Sequence, residues 1–508
     1  MDALVPLLVA VPLGVAFIIV VMAHVSGIRR FTGTLAVVAV LVNLVFAAML
    51  VGTGNQRVFV GGWTPAKTLG IELVCDGLAQ FMLVIINFVA LVSIIFAGAY
   101  MRRFTKVWLF ESLFLLMTGA MNGVVLAGDL FNLFVFLEVA AIASYALVGF
   151  GCEHEELEAA FKYLILGTVG SAFILLGVTI LYSLTGHLNM AMVARGLARI
   201  GTTGPAVLLA AAAIITGLAL KAAMVPFHAW LPDAHPSAPA PISAMLSGVL
   251  IKVSGVYALA RVVFNVLGAN PYYANILIVM GVLSMVLGMF LALGQLDLKR
   301  LLAYSSISQV GYVVLALGVA AQLVSRGGRL PSGYSAMTIA GLCLFGGLFH
   351  LFNHAAFKSL LFLSSGSIEQ QAHTRVLKDM GGLSRRMPVT SFCCRIGALS
   401  ISGVPPFNGF FSKIVIIIAL ALSGNYVLCA IAVGVAVGTL LMYVKVQRYA
   451  LEGEPSAATS GAREGPVLMC VAMLILALVC VAAGLAMIPL RDVLLAPAGE
   501  ALIAGVVR

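Results

Sequence analysis

Five basic residues, Lys221, Lys252, Lys358, Arg395 and Lys413, fall inside stretches of this chain that are otherwise apolar. An ionisable side chain at bilayer depth costs roughly 2.5–3.5 kcal/mol, so such groups face a protein interior, find partners and mark ion paths. Glu138 poses the same problem from the acidic side, because it sits in the middle of GDLFNLFVFLEVAAIASYAL. At about 1.5 Å rise per residue it is too deep to reach the headgroups easily. It needs a cationic partner, and the topologically nearest are Lys221 and Lys252, on the second and third spans after its own. The competing reading of Glu138 is a protonated acid that only bonds across helices, and that of Lys221 is a lysine snorkelling from a helix end. Lys252, in SGVLIKVSGVYALARV, is central in its span. Burial disfavours its charge and a nearby carboxylate favours it, so a moving Glu138 field could load and unload it.

A second group lies in LFHLFNHAAFKSLLFL, where His350, His354 and Lys358 occur at i, i+4 and i+8. Residues four apart share a helix face, with Cβ atoms about 5–6 Å apart. The three make a polar stripe along which a proton could hop through water, and imidazole suits that task because it titrates near pH 6.5. The alternatives are histidines hydrogen-bonded inside the bundle and, less favoured without a carboxylate on that face, a metal site. Arg395 follows the basic loop of Arg385 and Arg386 and reads as an interfacial anchor.

Two spans are interrupted. Pro226 breaks LALKAAMVPFHAW just after Lys221, and Pro405, Pro406 and Gly409 break GVPPFNGFFSK just before Lys413. Proline frees backbone carbonyls that are tolerated at membrane depth only where protein or water covers them. Such breaks in corresponding places of two halves point to inverted repeats with ion sites at the midplane.

The chain that must position these residues is 508 long, 62% hydrophobic and only 9% charged, with a mean hydropathy of +1.12. Those figures exclude a soluble globule, disorder and fibrous structure. The 8 cysteines have no CxxC pair or ligand spacing, and no P-loop or strand–GxGxxG–helix unit occurs, so iron–sulfur, zinc, haem and nucleotide sites have no support. The expectation is that the chain holds no cofactor and is energised from outside. Its formal charge of +10 is dispersed in short connectors, unlike the clustered basic face of a nucleic-acid binder.

At roughly 20 residues per span, the sequence divides into about fourteen apolar segments. Alternate connectors hold Arg29, Arg30, Arg102, Arg103, Lys106, Lys162, Lys299, Arg300, Arg375, Lys378, Arg385, Arg386, Lys445, Arg448 and Arg463 on one side. Opposite them are Arg57, Lys67, Arg195, Arg199, Arg261, Arg326, Arg329, Arg491 and Arg508. Cytoplasmic loops carry the positive excess, so both termini are expected outside the cytoplasm, with the chain in a cell (inner) membrane. Asp129 reads as a helix N-cap, the run Glu153, Glu155, Glu156 and Glu158 as a connector into a helix start, and His187 to Ile200 as an interfacial helix.

From about Glu111 to Lys413, five segments in order resemble the antiporter-like subunit family: GDLFNLFVFLEV, LKAAMVPFHAWLPDAHPSAPAPISAMLSGVLIKVSGVYALAR, LDLKRLLAYSSISQVGY, LFHLFNHAAFKSLLFLSSGS and GVPPFNGFFSK. That family supplies the proton-channel subunits of respiratory complex I, Mrp-type sodium/proton antiporters and membrane-bound hydrogenases. The resemblance implies an all-α membrane protein of fourteen helices with two inverted five-helix repeats, each with a broken helix. Its divisions would be residues 1–105, 106–265 and 270–449, then a last helix at 466–490 with a short tail. By motif position, Glu138, Lys221, Lys252 and Lys413 match the family's ion-translocation residues, the last being lysine or glutamate among relatives. His354 and Lys358 match the central relay of the eleventh helix, and His228 and His350 are further candidates for the proton relay. GDLFNLFVF leans towards the Mrp and hydrogenase branches. Glu111 departs from the pattern, which expects an uncharged residue there; it would add a local acid or sit near the cytoplasmic face.

The function expected is ion translocation, of protons with sodium left open as a coupled ion, inside a multi-subunit membrane complex and without a redox centre in this chain. A secondary transporter of a solute would instead need a roomy pocket at the break. A structural scaffold for a redox partner would tolerate neutral replacements of the buried charges.

Overall fold

The structure is a computed structural model that describes residues 2–25, 27–62 and 70–506. Lys67 and Arg508, counted above among the outer basic residues, lie outside the described residues. The chain is mostly helical: α1 Leu4–Ala23, α2 Thr32–Leu50, α3 Gly77–Tyr100, α4 Val107–Leu126, α5 Leu130–Val148, α6 His154–Thr185, α7 Met190–Ile200, α8 Pro205–Lys221 and α9 Leu231–Ser237. There follow α10 Ala240–Val266, α11 Pro271–Gly294, α12 Leu298–Arg326, α13 Ala336–Ala372, α14 Pro388–Ser402, α15 Asn408–Leu422, α16 Tyr426–Val446, α17 Val467–Leu485 and α18 Ala496–Val506. A small antiparallel hairpin pairs β1 Gln56–Phe59 with β2 Glu72–Cys75, Gln56 facing Cys75.

Among the described residues, 12 helices are long and apolar enough to cross a membrane, and α8 and α15 are shorter apolar helices. Helix starts follow from local chemistry. Asp76 caps α3 and Asp129 caps α5 by accepting from Ala79 N at 3.0 Å and Asn132 N at 2.6 Å. Glu153 and Glu156 form a reciprocal capping box at α6, which uses the acidic run as the sequence reading expects. Helix α7 buries Met190, Val193 and Leu197 on one face.

Burial rises towards the centre. The most apolar window of α10 is wholly buried, as is nearly all of that of α12, whereas α1 and α2 bury only a third. Outer helices present bare apolar side chains such as Phe17, Phe161 and Val467, which suit a lipid boundary. Glycines permit close packing where needed: a Cβ on Gly281 of α11 would lie 2.7 Å from Leu315 N of α12, the small-residue contact by which membrane helices associate.

Some polar residues are placed differently from the connector reading. Lys299 and Arg261 are buried within α12 and α10 rather than lying in open connectors. Each is compensated by a distant acid: Lys299 meets Glu369 at 2.8 Å, and Arg261 pairs with Asp76. Arg395 is partly exposed and meets Glu452 at 3.4 Å, as an anchor at the interface should. Glu111 is buried in the second turn of α4, against Gly33 at the start of α2.

Candidate ion-translocation site

The first break follows α8. Its last residue, Lys221, is buried and donates to Glu138 Oε1 of α5 at 3.0 Å. Ser171 of α6 donates to the same oxygen. The Glu138 side chain keeps 27% exposure against 5% for Lys221, so the acid lies at the outer flank of the pair. Beyond Lys221 the chain turns through Ala223, in the left-handed region at φ 53°. The groups freed at the break are then covered by side chains: Trp230 Nε1 donates to Leu220 O at 3.0 Å, and Ser284 Oγ accepts from Val225 N at 3.0 Å. Trp230 stacks on Tyr163 at 4.1 Å. Beside Lys221 a cavity of about 10 Å³ is lined by Leu137, Tyr163, Trp230, Leu250 and Ser254. That is about the room one water needs, and the last two residues flank Lys252 on α10.

The second break separates α14 from α15, at Gly403 with φ 78°. A Cβ on Gly409 would collide with the Ser400 carbonyl, so glycine lets the two half-helices cross. Lys413 of α15 is buried and donates to Ile401 O, in the last turn of α14, at 2.7 Å. A cation there meets the negative end of the half-helix. Its Nζ also lies 5.4 Å from the centre of the Tyr312 ring. Among the described residues no carboxylate oxygen comes within 4.0 Å of it.

Between the breaks lie the other two lysines. Helix α10 contains wide turns at Leu246–Leu250 and Lys252–Tyr257, a feature frequent at functional sites. Lys252 donates back to Ser247 O. Lys358 of α13 donates to Leu302 O at 2.7 Å and to Ser305 Oγ, and approaches Tyr443 Oη at 3.4 Å. Ser247 and Ser306 hydroxyls meet at 2.7 Å, joining α10 to α12. His350 Nδ1 bonds Ser412 Oγ, next to Lys413, at 3.0 Å, and the rings of His350 and His354 are 6.4 Å apart. Both ring nitrogens of His354 lack a protein partner.

The structure thus brings Glu138 to Lys221, and His350 to the Lys413 turn. His228 stands apart, partly exposed at the first break with its ring 6.5 Å from Tyr304. The sequence reading gave no role to Ser247, Ser305, Ser306, Tyr443 or the buried His235; for Ser305 and Ser306 the signal was the run SSISQ inside an apolar span.

The family described as NADH:quinone oxidoreductase/Mrp antiporter, TM, matches residues 127–441, a stretch that contains both breaks and the buried Lys221, Lys252, Lys358 and Lys413. The chain belongs to this family. It is 37% identical over 470 residues to NADH-quinone oxidoreductase subunit N of Desulforudis audaxviator, covering 91% of this chain and 89% of the relative. To a Na(+)/H(+) antiporter subunit of Alkalihalophilus pseudofirmus it is 33% identical over 456 residues, covering 89% and 88%. Its fold is similar to a chain of the Mrp complex from Dietzia sp., with a TM-score of 0.87, 28% identity and coverage of 99% and 97%. Family members of both the oxidoreductase and antiporter kinds therefore stand at similar identity to this chain.

Proposed function

We propose that this membrane protein is an ion-translocating subunit, moving protons with sodium open as a coupled ion, inside a multi-subunit complex of the kind its relatives are named for. The observation that carries the reading is the Glu138–Lys221 pair at a helix break, followed by buried lysines held only by carbonyls and hydroxyls. Four cations at a cost of roughly 2.5–3.5 kcal/mol each are an expensive way to build a scaffold. A solute transporter needs a roomy pocket at the break, and the cavity beside Lys221 is about 10 Å³.

The mechanism is electrostatic. With Glu138 against Lys221, the attraction holds the proton on the amine. When the acid withdraws, that attraction is lost, and Lys221 passes its proton towards Lys252 across the small cavity. From there the serine-linked Lys358 and the His354/His350 pair lead to Lys413. Each proton moved against 100 mV requires about 2.3 kcal/mol. The chain contributes no cofactor, so partner subunits supply the drive.

In this reading α8 with α9, and α14 with α15, are crossed as single broken spans, giving about fourteen in all. Spans four to eight (106–265) and nine to thirteen (270–449) are the inverted repeats, residues 1–105 supply the first three spans, and 466–490 the last. Both termini face outwards from a cell membrane. The test is ion flux in vesicles carrying the assembled complex. Lys221→Ala, which removes a buried charge without a clash, is expected to assemble and to lose translocation. Wild-type flux in that variant sinks the proposal.

A further inference from the structure

On the face that carries Arg103 and Glu155, a cavity of about 630 Å³ opens into the protein. Its wall includes Tyr100, Arg103, Glu155, Lys299, Glu369 and Arg375, and its floor is Pro236 to Pro239, where α9 ends. Helix α9 is the segment that leaves the first break. Lys299 meets Glu369 at 2.8 Å across the wall, and Arg375 lies 3.9 Å from Glu369, 3.4 Å from Asp297 and 3.7 Å from Glu155. Arg375 also donates to Pro236 O at 2.8 Å, and Lys299 to Ala238 O at 3.2 Å, so two cations grip the floor.

Immediately before that floor stands His235. It is fully buried, and neither ring nitrogen has a protein partner. Its ring stacks on Phe362 at 4.4 Å. Phe362 is one helical turn from Lys358, whose Nζ lies 5.8 Å from the centre of the same ring. An imidazole with two free nitrogens costs stability when buried, and this one lies between a polar vestibule and the buried lysine chain.

We infer that His235 is the inlet through which protons pass from the vestibule to Lys358, with the Lys299–Glu369 pair as its outer gate. The inference rests on the proton-translocation reading above: the charge that Lys221 passes to Lys252 repels the proton loaded at Lys358 and drives it on towards Lys413, after which His235 refills Lys358. In the step, water in the vestibule delivers a proton to the unprotonated ring nitrogen of His235. The imidazolium gives up the proton of its other nitrogen to the neutral amine of Lys358, and the ring then turns so that its bare nitrogen again faces the vestibule and its N–H faces Lys358. Lys358 becomes the ammonium that Leu302 O and Ser305 Oγ accept. The Phe362 ring, touched by both groups, sets the width of the passage.

The experiment uses the assembled complex in vesicles and compares His235→Gln, Glu369→Gln and Lys221→Ala for assembly and proton flux. His235→Gln is expected to assemble and to lower flux at least about tenfold, the scale of a lost proton-transfer group, with a smaller loss for Glu369→Gln. A second measurement does not depend on His235 variants folding. Thr374→Cys on the vestibule wall, combined with Cys152→Ser to remove an exposed thiol, is treated from that face with a membrane-impermeant cationic thiosulfonate. Flux should be normal before treatment, fall on modification and return on reduction. If His235→Gln and modified Thr374→Cys both pump normally while Lys221→Ala does not, the inlet is wrong and the translocation reading stands. If Lys221→Ala pumps normally, both fall. If modification releases subunits instead of slowing flux, the vestibule is a docking cleft and the inlet is overturned.

Discussion

The two broken helices each bury a lysine at the break, but the lysines are held differently. Lys221 faces a carboxylate at 3.0 Å, whereas Lys413 faces the carbonyl of Ile401 at 2.7 Å. A carboxylate on a side chain can swing away or be neutralised; a carbonyl at a half-helix end is fixed by the backbone. The first break can therefore be switched by moving one acid. The second holds its cation with a dipole of constant sign, which suits a station that fills and empties in response to its neighbours. Two similar backbone devices thus give a controllable site and a passive one, and the difference lies in one residue on α5.

The sharpest way to break the comparison is to place glutamate at each lysine. Lys221→Glu sets two carboxylates together in a poorly hydrated site, where like charges oppose ionisation, and flux should fall to background. Lys413→Glu meets only the Ile401 carbonyl, to which a protonated carboxyl can donate, so about a tenth of the flux should remain. Equal loss in both, measured as flux per assembled complex, would erase the distinction between the breaks.

Glu138→Gln keeps the shape of the acid and removes its charge. Leaving a buried charge without its partner costs about 3–5 kcal/mol, so a fall of at least about 100-fold and up to about 5,000-fold is expected at 1.36 kcal/mol per decade. Glu138→Asp should retain part of the activity. If Gln and Asp behave alike in the same assay, the acid is structural and the first break is no switch.

The smallest effects belong to the segment between the breaks. His354→Ala, which removes a ring with no protein partner, should slow flux about tenfold. His350→Ala should cost less, since the Ser412 hydroxyl it bonds at 3.0 Å remains beside Lys413. Normal flux in both variants would send the path elsewhere and leave the two lysines unconnected.

Much of this arrangement is readable from the chain because membrane burial makes charge conspicuous. Glu138, Lys221 and Lys413 stand out against apolar neighbours, and Pro226 and Pro405 mark the breaks beside the two lysines. Interruption and charge are local signals. The pairs Arg261–Asp76 and Lys299–Glu369 are not, since their partners are far apart in sequence and each basic residue lies close enough to a span end to read as a connector charge. His235 was hidden by its setting in LPDAHPSAPAP, where prolines suggest a loop rather than a buried wall. Helix length was also underestimated: α13 runs to Ala372 through SSGSIEQQA, polar residues that a hydropathy window cuts away. The tail contains α18, which at 11 residues is too short to read as a span, and Asn265 Nδ2 of α10 donates to Ala501 O at 3.0 Å.

The 37 residues of α13 have a mechanical consequence. At 1.5 Å per residue the rod is about 55 Å long, nearly twice the roughly 30 Å hydrocarbon thickness. Its midpoint is His354, and Glu369 lies in its last turn. A tilt of about 5° about that midpoint moves each end by about 2 Å, given that length. Such a displacement would part a 2.8 Å contact like that of Glu369 with Lys299 while barely disturbing the histidines at the pivot.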